Sequence, residues 1–307
     1  MNKSKLKILS ILLSLSIILC FFASCNADLI GGENASLDDI LKNYRTKGIV
    51  VWWEILAIYN AGENPMDYKG FEQIYLSLEG DDYLKMAAYV IVADIAVKIG
   101  ADEGYFEKYG EYKTKLKNFL ENPSEQYTLY EYIYAYYGLK CSGTVFDQTP
   151  LLDYFIKEQK SDGGFALFGN VSDADMTALV IPVLQLLYTN PSGMYFDTDI
   201  SPLTNAVKFL ESQIGENGMF SYSGEDNANS TACALTALVG YYKDDGNANE
   251  IIKKASDGLS LFRVNKKAEY AYLKNGKADI LATAQAAIAL GDLKNKMSVW
   301  EKLYLEI

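Results

Sequence analysis

The sequence contains no histidine among its 307 residues. That absence excludes His-ligated zinc, the Ser-His and Cys-His nucleophile systems and histidine general bases. Arginine is nearly as scarce, with only Arg45 and Arg263, so a bidentate clamp for phosphates or uronates is poorly supplied. Cysteine occurs four times. Cys20 and Cys25 fall in the N-terminal leader, while Cys141 and Cys233 sit in apolar helical contexts and read as buried thiols rather than a disulfide. Lysine and arginine total 28 against 40 acidic residues, a formal charge of −12. A chain this acidic is a poor partner for nucleic acid or an anionic membrane surface. Period-two alternation is also missing, so no substantial sheet is expected.

What is present begins with "MNKSKLKILSILLSLSIILCFFASC". Lys3, Lys5 and Lys7 precede an apolar run from Ile8 to Phe22 that ends in small residues, the anatomy of a secretory signal. Cys25 stands where a bacterial lipobox places the cysteine that is diacylated, with Phe22 as a departure from the usual aliphatic residue. The expectation is an extracytoplasmic protein anchored to the cell membrane by lipid on Cys25. Residues 1–25 are then the signal, 26–36 a short linker and 37–307 the folded domain. Removing the three leader lysines takes the net charge to about −15.

Downstream the pattern is helical. Six strongly apolar helices are expected over Gly48 to Ala61, Tyr83 to Ile99, Tyr127 to Leu139, Asp173 to Tyr188, Asn229 to Tyr242 and Asp279 to Leu290. Amphipathic, charged helices alternate with them, around Glu72 to Glu79, Tyr105 to Leu120, Leu151 to Lys160, Pro202 to Gln213, Ile251 to Phe262 and Met297 to Tyr304. Two concentric rings need this alternation, because inner helices are covered all round and outer ones keep a polar stripe in water. Thr177-Ala178, Thr231-Ala232 and Thr283-Ala284 mark a repeat of somewhat over fifty residues, the signature of an array of helix pairs. The expected fold is an all-α (α/α)6 toroid of about twelve helices. Gly163, Gly164 and Phe165, echoed by Gly218 and Phe220, read as the turn from outer to inner ring.

"QKSDGGFALFGNVSDADMTA", from Gln159 to Ala178, resembles the repeat of the terpene-cyclase and protein-prenyltransferase α/α-toroid superfamily, including the squalene-cyclase repeat. It is especially similar to bacterial surface lipoproteins whose toroid resembles that of the cobalamin carriers intrinsic factor and transcobalamin. The zinc site of the prenyltransferases would need a histidine, so no metal is expected. The cyclase motif D-x-D-D falls on Asp173, Ala174, Asp175 and Met176. It would make Asp175 the acid, with Asp173 beside it, in a terpenoid-cyclase-like enzyme with a degenerate motif. The cobalamin-carrier comparison instead implies ligand contacts from Asp175, Asn227 and Gln285, with a corrinoid as possible ligand and no certain cofactor. That family's histidine is Ala174 here, and no counterpart of its β-rich second domain follows, so a lid domain or transporter partner is expected.

The residues themselves leave alternatives open. Ser172 and Asp173 suit a helix cap, as do Asn227, Asn229 and Ser230. "YTLYEYIYAYYGL" places Tyr127, Tyr130, Tyr134 and Tyr137 on one stripe, which lines a cavity or simply fills core. Trp52 and Trp53 carry the same ambiguity. Three functions therefore stand. The first is a non-catalytic small-molecule binder using Asp175, Asn227, Gln285, Asn229, Tyr134 and Trp52. The second is an enzyme, terpene-cyclase-like or polysaccharide-cleaving, the latter disfavoured by the scarcity of Arg and His. The third is a structural or adhesive surface protein with a plugged centre.

Overall fold

A computed structural model describes residues 36–189, 199–243, 245, 248–264 and 268–305. The expected signal, Cys25 and most of the expected linker lie outside the described residues. Residues 36–47 are helical (α1). There follow α2 (Trp52–Asn60), α3 (Phe71–Ser77), α4 (Tyr83–Lys98), α5 (Tyr109–Glu121), α6 (Leu129–Cys141), α7 (Thr149–Glu158) and α8 (Ala174–Tyr188). The chain continues through α9 (Ser201–Ser212), α10 (Ala228–Tyr242), α11 (Asn249–Ser260), α12 (Ile280–Asn295) and α13 (Val299–Leu305). No helix among the described residues is long and apolar enough to cross a membrane.

The even-numbered helices close a ring: α2 packs on α4, α4 on α6, α6 on α8, α8 on α10, α10 on α12, and α12 back on α2. The fold is the all-α toroid that the alternation of apolar and amphipathic segments implies. The apolar runs explain the inner ring, since Met86 to Ala96 in α4 is buried without interruption. In α11, by contrast, only Ala255, Ser256, Gly258 and Leu259 are buried, leaving the opposite face wet. α1 seals the seam between last and first units. Leu37, Ile40, Leu41 and Tyr44 are buried, and Asp39 and Lys47 pair with Arg263 and Glu269.

One expectation is corrected. Met297 to Tyr304 is not an outer helix. α13 lies across the carbonyl ends of α2, α6, α8 and α12, where the Lys302 ammonium donates to the carbonyls of Tyr59 and Asn60, 3.1 Å each. The outer ring is completed at the other end of the chain by α1. The connections also hold two small antiparallel ladders, β1 (Ser221–Tyr222) with β2 (Glu225–Asp226) and β3 (Tyr270–Ala271) with β4 (Ala278–Asp279). Two residues per strand are too few to leave an alternating pattern.

The repeated Thr-Ala pair now has a physical role. Thr177, Thr231 and Thr283 each accept the amide of an aromatic residue in the preceding loop, Phe165, Phe220 and Tyr270, at 2.9, 3.0 and 2.9 Å. Each hydroxyl donates back to the carbonyl of the helix's N-cap, Asp173, Asn227 or Asp279, at 2.7, 2.8 and 2.7 Å. The hydroxyl thus staples loop to helix in each of these three units. Thr231→Val leaves the fully buried Phe220 amide without a partner, and we expect a loss of roughly 1–3 kcal/mol in urea unfolding; an unchanged midpoint would refute the staple. Gly218 makes the outer-to-inner turn at φ +81°, where an added Cβ would lie 1.9 Å from the Lys254 carbonyl oxygen. Gly163 does the same at φ +88° against the Asn205 carbonyl, so both turns need glycine.

Candidate functional site

The barrel has two unlike ends. At the carbonyl end, Trp300 of α13 inserts along the axis and stacks on Tyr137, with ring centroids 3.9 Å apart and planes 2° apart. Above it lies a cavity of ≈ 20 Å³ bordered by Trp53, Leu179, Cys233, Thr236, Gln285 and Trp300. That is room for about one water, so no large ligand enters the barrel itself. The interior above is filled by aromatic rings: Trp52 stacks on Trp53 at 4.2 Å, and Tyr134 meets both edge-on at 5.9 and 5.6 Å.

The amide ends of the inner helices form the other mouth, a shallow bowl. Each inner helix begins on a polar side chain that serves the backbone. Asp82, Asp173, Asn227 and Asp279 accept the amides of Lys85, Met176, Ser230 and Ala282 at 3.0, 2.7, 2.8 and 2.8 Å. Glu54 reaches back to the Val51 amide at 3.0 Å, and Glu131 to that of Thr128 at 2.7 Å. These devices neutralise the first turns of all six helices. One acid at the mouth is left over: Asp175.

Asp175 stands two residues past its helix cap, half-buried, and its Oδ1 has no hydrogen-bond partner. Burial raises its pKa from 3.8 to about 6, the Ser230 hydroxyl offsets this in part, and the Asp173 charge adds to it. The Ser230 hydroxyl is near enough to act on that charge, yet it too lacks a direct partner, as do the side-chain oxygens of Asn229 and Gln285. Tyr130 from α6 and Tyr272 from the β3–β4 turn both feel the Asp175 charge. Tyr272 is held at the mouth by its carbonyl, which accepts the Ala228 amide at 2.9 Å. Around the rim, Val50, Phe168, Val171, Tyr222, Ile280 and Leu281 are exposed, Phe168 by 72% and Val171 by 81%.

Each sequence candidate now has a place. Asp175 and Asn229 carry unpartnered oxygens in the first turns of α8 and α10, Trp52 is half-buried at the start of α2, and Gln285, deeper in α12, borders instead the enclosed cavity above Trp300. Tyr134 is buried beneath them, ring against ring with Trp52, Trp53 and Tyr130. Asn227 is corrected: it is fully buried, its oxygen caps α10 and its amide nitrogen donates to the Glu225 carbonyl at 3.2 Å. It shows no surface to a ligand. Asp173 is likewise spent, one oxygen on the Met176 amide and the other on that of Leu167 at 3.0 Å. Ser172 is not the cap; its hydroxyl donates to Asp162 at 2.7 Å. Cys141 is buried and Cys233 half-buried, both free thiols. Among the described residues no acidic or cysteine cluster suits a metal ion. Tyr272 and Trp300 were not legible as site residues, since loop and C-terminal aromatics carry no periodic signal.

No protein-family model matches the sequence, and no curated protein matches it. Among solved structures the chain is similar to one described as a possible member of the GH105 family from Salmonella enterica subsp. enterica serovar Paratyphi A str. ATCC 9150. The TM-score is 0.61 at 10% identity, covering 87% of this chain and 94% of that one. A likeness at this identity speaks for the toroid fold, and folds of this kind host unrelated functions.

Proposed function

We propose that the protein is an exported lipoprotein, tethered through Cys25, whose toroid binds a small ligand in the bowl without transforming it. One observation carries the binding reading. Among the described residues, three of the eight buried side-chain oxygens without a partner, those of Asp175, Asn229 and Ser230, belong to the first turns of the neighbouring helices α8 and α10. Buried polar atoms are ordinarily satisfied, so such a gathering calls for an external partner. All three can accept hydrogen bonds, and Tyr130 and Tyr272 lie near enough to feel the Asp175 charge. A ligand with an apolar face and a rim of N–H or O–H donors suits the bowl, and a corrinoid, flat and fringed with amides, is of that kind. Because the cavity below holds only about one water, the ligand rests on the bowl, with room for a lid domain or transporter above it.

A carbohydrate-cleaving role is the second reading, favoured by the structural neighbour and by an acid whose pKa of about 6 suits proton donation. Glycoside hydrolysis ordinarily uses two carboxyl groups. Asp173, the one whose charge acts on Asp175, is committed to backbone amides, which counts against that chemistry.

The test is calorimetric and absorbance titration of the purified protein with cobalamin and cobinamide. Binding in the micromolar range is expected, weakened about tenfold or more in Asp175→Ala, since a hydrogen bond to a charged group contributes about 1.5–3 kcal/mol. No heat and no spectral change at high-micromolar ligand would remove the corrinoid. For the anchor, palmitate labelling of expressing cells should mark the parent and not Cys25→Ala; equal labelling of the two, or of neither, would disprove lipidation there.

A further inference from the structure

We propose that the amide mouth of the barrel rests on the lipid bilayer, its exposed apolar rim sunk among uncharged headgroups. This rests on the tether at Cys25 and adds which end of the toroid the membrane meets.

The rim is built from four consecutive units. Phe168 and Val171 stand in the connection that leads into α8, Tyr222 in β1 ahead of α10, and Tyr272 in the β3–β4 turn. Ile280 and Leu281 open α12, and Val50 stands just before α2. Half of the fourteen large apolar side chains exposed among the described residues are therefore at this one end. They form one arc, because β1 packs on α8, the Tyr272 carbonyl accepts the Ala228 amide at the start of α10, and α12 packs on α2. At the opposite end α13 covers the centre, and Tyr105 and Val145 are exposed on separate connections. An apolar arc of this kind marks a contact surface. Two of its members are tyrosines, whose rings suit the headgroup level while the hydroxyl stays in water.

The stretch of chain between Cys25 and α1 brings the bilayer within reach of this end. The Ser36 hydroxyl, at the start of α1, lies 3.3 Å from that of Tyr270. Tyr270 pairs in its ladder with Asp279, the cap of α12. Eleven residues lead from Cys25 to Ser36, at most about 36–40 Å of extended chain. The 16 residues of α12 give the barrel a height of about 24 Å. The tether exceeds that height, so a lipid on Cys25 lets the mouth face the membrane that holds it. The net charge of −12 disfavours an anionic surface, so contact is made by insertion rather than attraction. Lys274 and Lys277, exposed on the turn that carries Tyr272, reach the headgroups with their stems along the rim.

The test reconstitutes the lipidated full-length protein in phosphatidylcholine vesicles. An environment-sensitive fluorophore is attached through Val171→Cys or, as control, through Val145→Cys, valines exposed by 81% and 85% at opposite ends. The parent, with Cys141 and Cys233, supplies the background. Lipids with a quencher near the headgroup should quench the label at 171 by about half or more, as for a group roughly 5–10 Å into the interface, and leave that at 145 unchanged. Phe168→Ser should reduce the quenching at 171, and high salt should not. If the protein floats with the vesicles and both labels or neither are quenched, the tether stands and the inference falls. If it does not float, both fall. A label at 171 that is shielded in whole cell envelopes and not by pure lipid assigns the rim to a protein partner and also overturns the inference.

Discussion

Trp300→Ala should cost about 3–5 kcal/mol, the usual range for deleting a large buried aromatic residue. The melting temperature should fall by on the order of 10 °C in a chain of this length. Trp300 is 3% exposed, lies flat on Tyr137 and meets Tyr134 edge-on at 6.3 Å. Its loss removes both ring contacts and the floor of the enclosed cavity together. The ≈ 20 Å³ cavity should then grow to on the order of 100 Å³, a size class that admits benzene into an apolar site. Benzene or indole should restore part of the lost melting temperature. A variant that melts like the parent would show that α13 is an accessory strip rather than the seal of the barrel.

The second large effect concerns Asp292. It is fully buried in α12, where the Asn60 amide donates to its Oδ1 at 2.7 Å, while Oδ2 has no direct partner. Burial raises its pKa from 3.8 to about 8, offset in part by Thr236, Asn60, the Val299 amide and the Lys302 charge. An acid whose pKa is higher folded than unfolded favours the folded state most below its unfolded value. That contribution declines as pH rises and is gone above the folded value. Stability should therefore fall between about pH 4 and pH 8 on account of this group. Asp292→Asn keeps an oxygen for Asn60 and cannot ionise. Urea unfolding at pH 9 should find the variant more stable than the parent by several kcal/mol, up to roughly 5, with the gap closing toward pH 4. Asp94, also raised to about 6 by burial, acts in the same direction in both proteins and cancels from the comparison. A gap independent of pH would mean that Asp292 is ionised in the fold, its charge carried by Lys302.

The fold was readable in the sequence because its strongest constraint is repetitive. Inner helices covered on every side need unbroken apolar runs, such as Met86 to Ala96. The Thr-Ala pairs recur because each hydroxyl ties a loop aromatic to the next helix. α13 was misplaced because its seven residues have a buried face like any outer helix, and only the tertiary structure says whether that face covers a flank or an end. α1 was missed for the converse reason: its partners, Arg263 and Glu269, lie more than two hundred residues away.

At the helix starts the sequence offered the residue types and left open which of them cap. A polar residue at a helix start is either spent on the backbone or left over, and a shift of two positions decides which. Asn227 proved to be the cap and Asn229 the free side chain; Asp173 was the cap and Asp175 the free acid. Tyr272 reaches the bowl only because its carbonyl is pinned to the start of α10, a contact that no local pattern announces.

The most direct measurement is the titration of the Asp175 carboxyl carbon by NMR, assigned through Asp175→Asn, in the free protein and with saturating ligand. The free protein should show a midpoint near 6, and cobinamide should lower it by a unit or more as a donor reaches the Asp175 carboxylate. A free midpoint near 4, or one that cobinamide does not move, would contradict a bowl built to receive a ligand at Asp175.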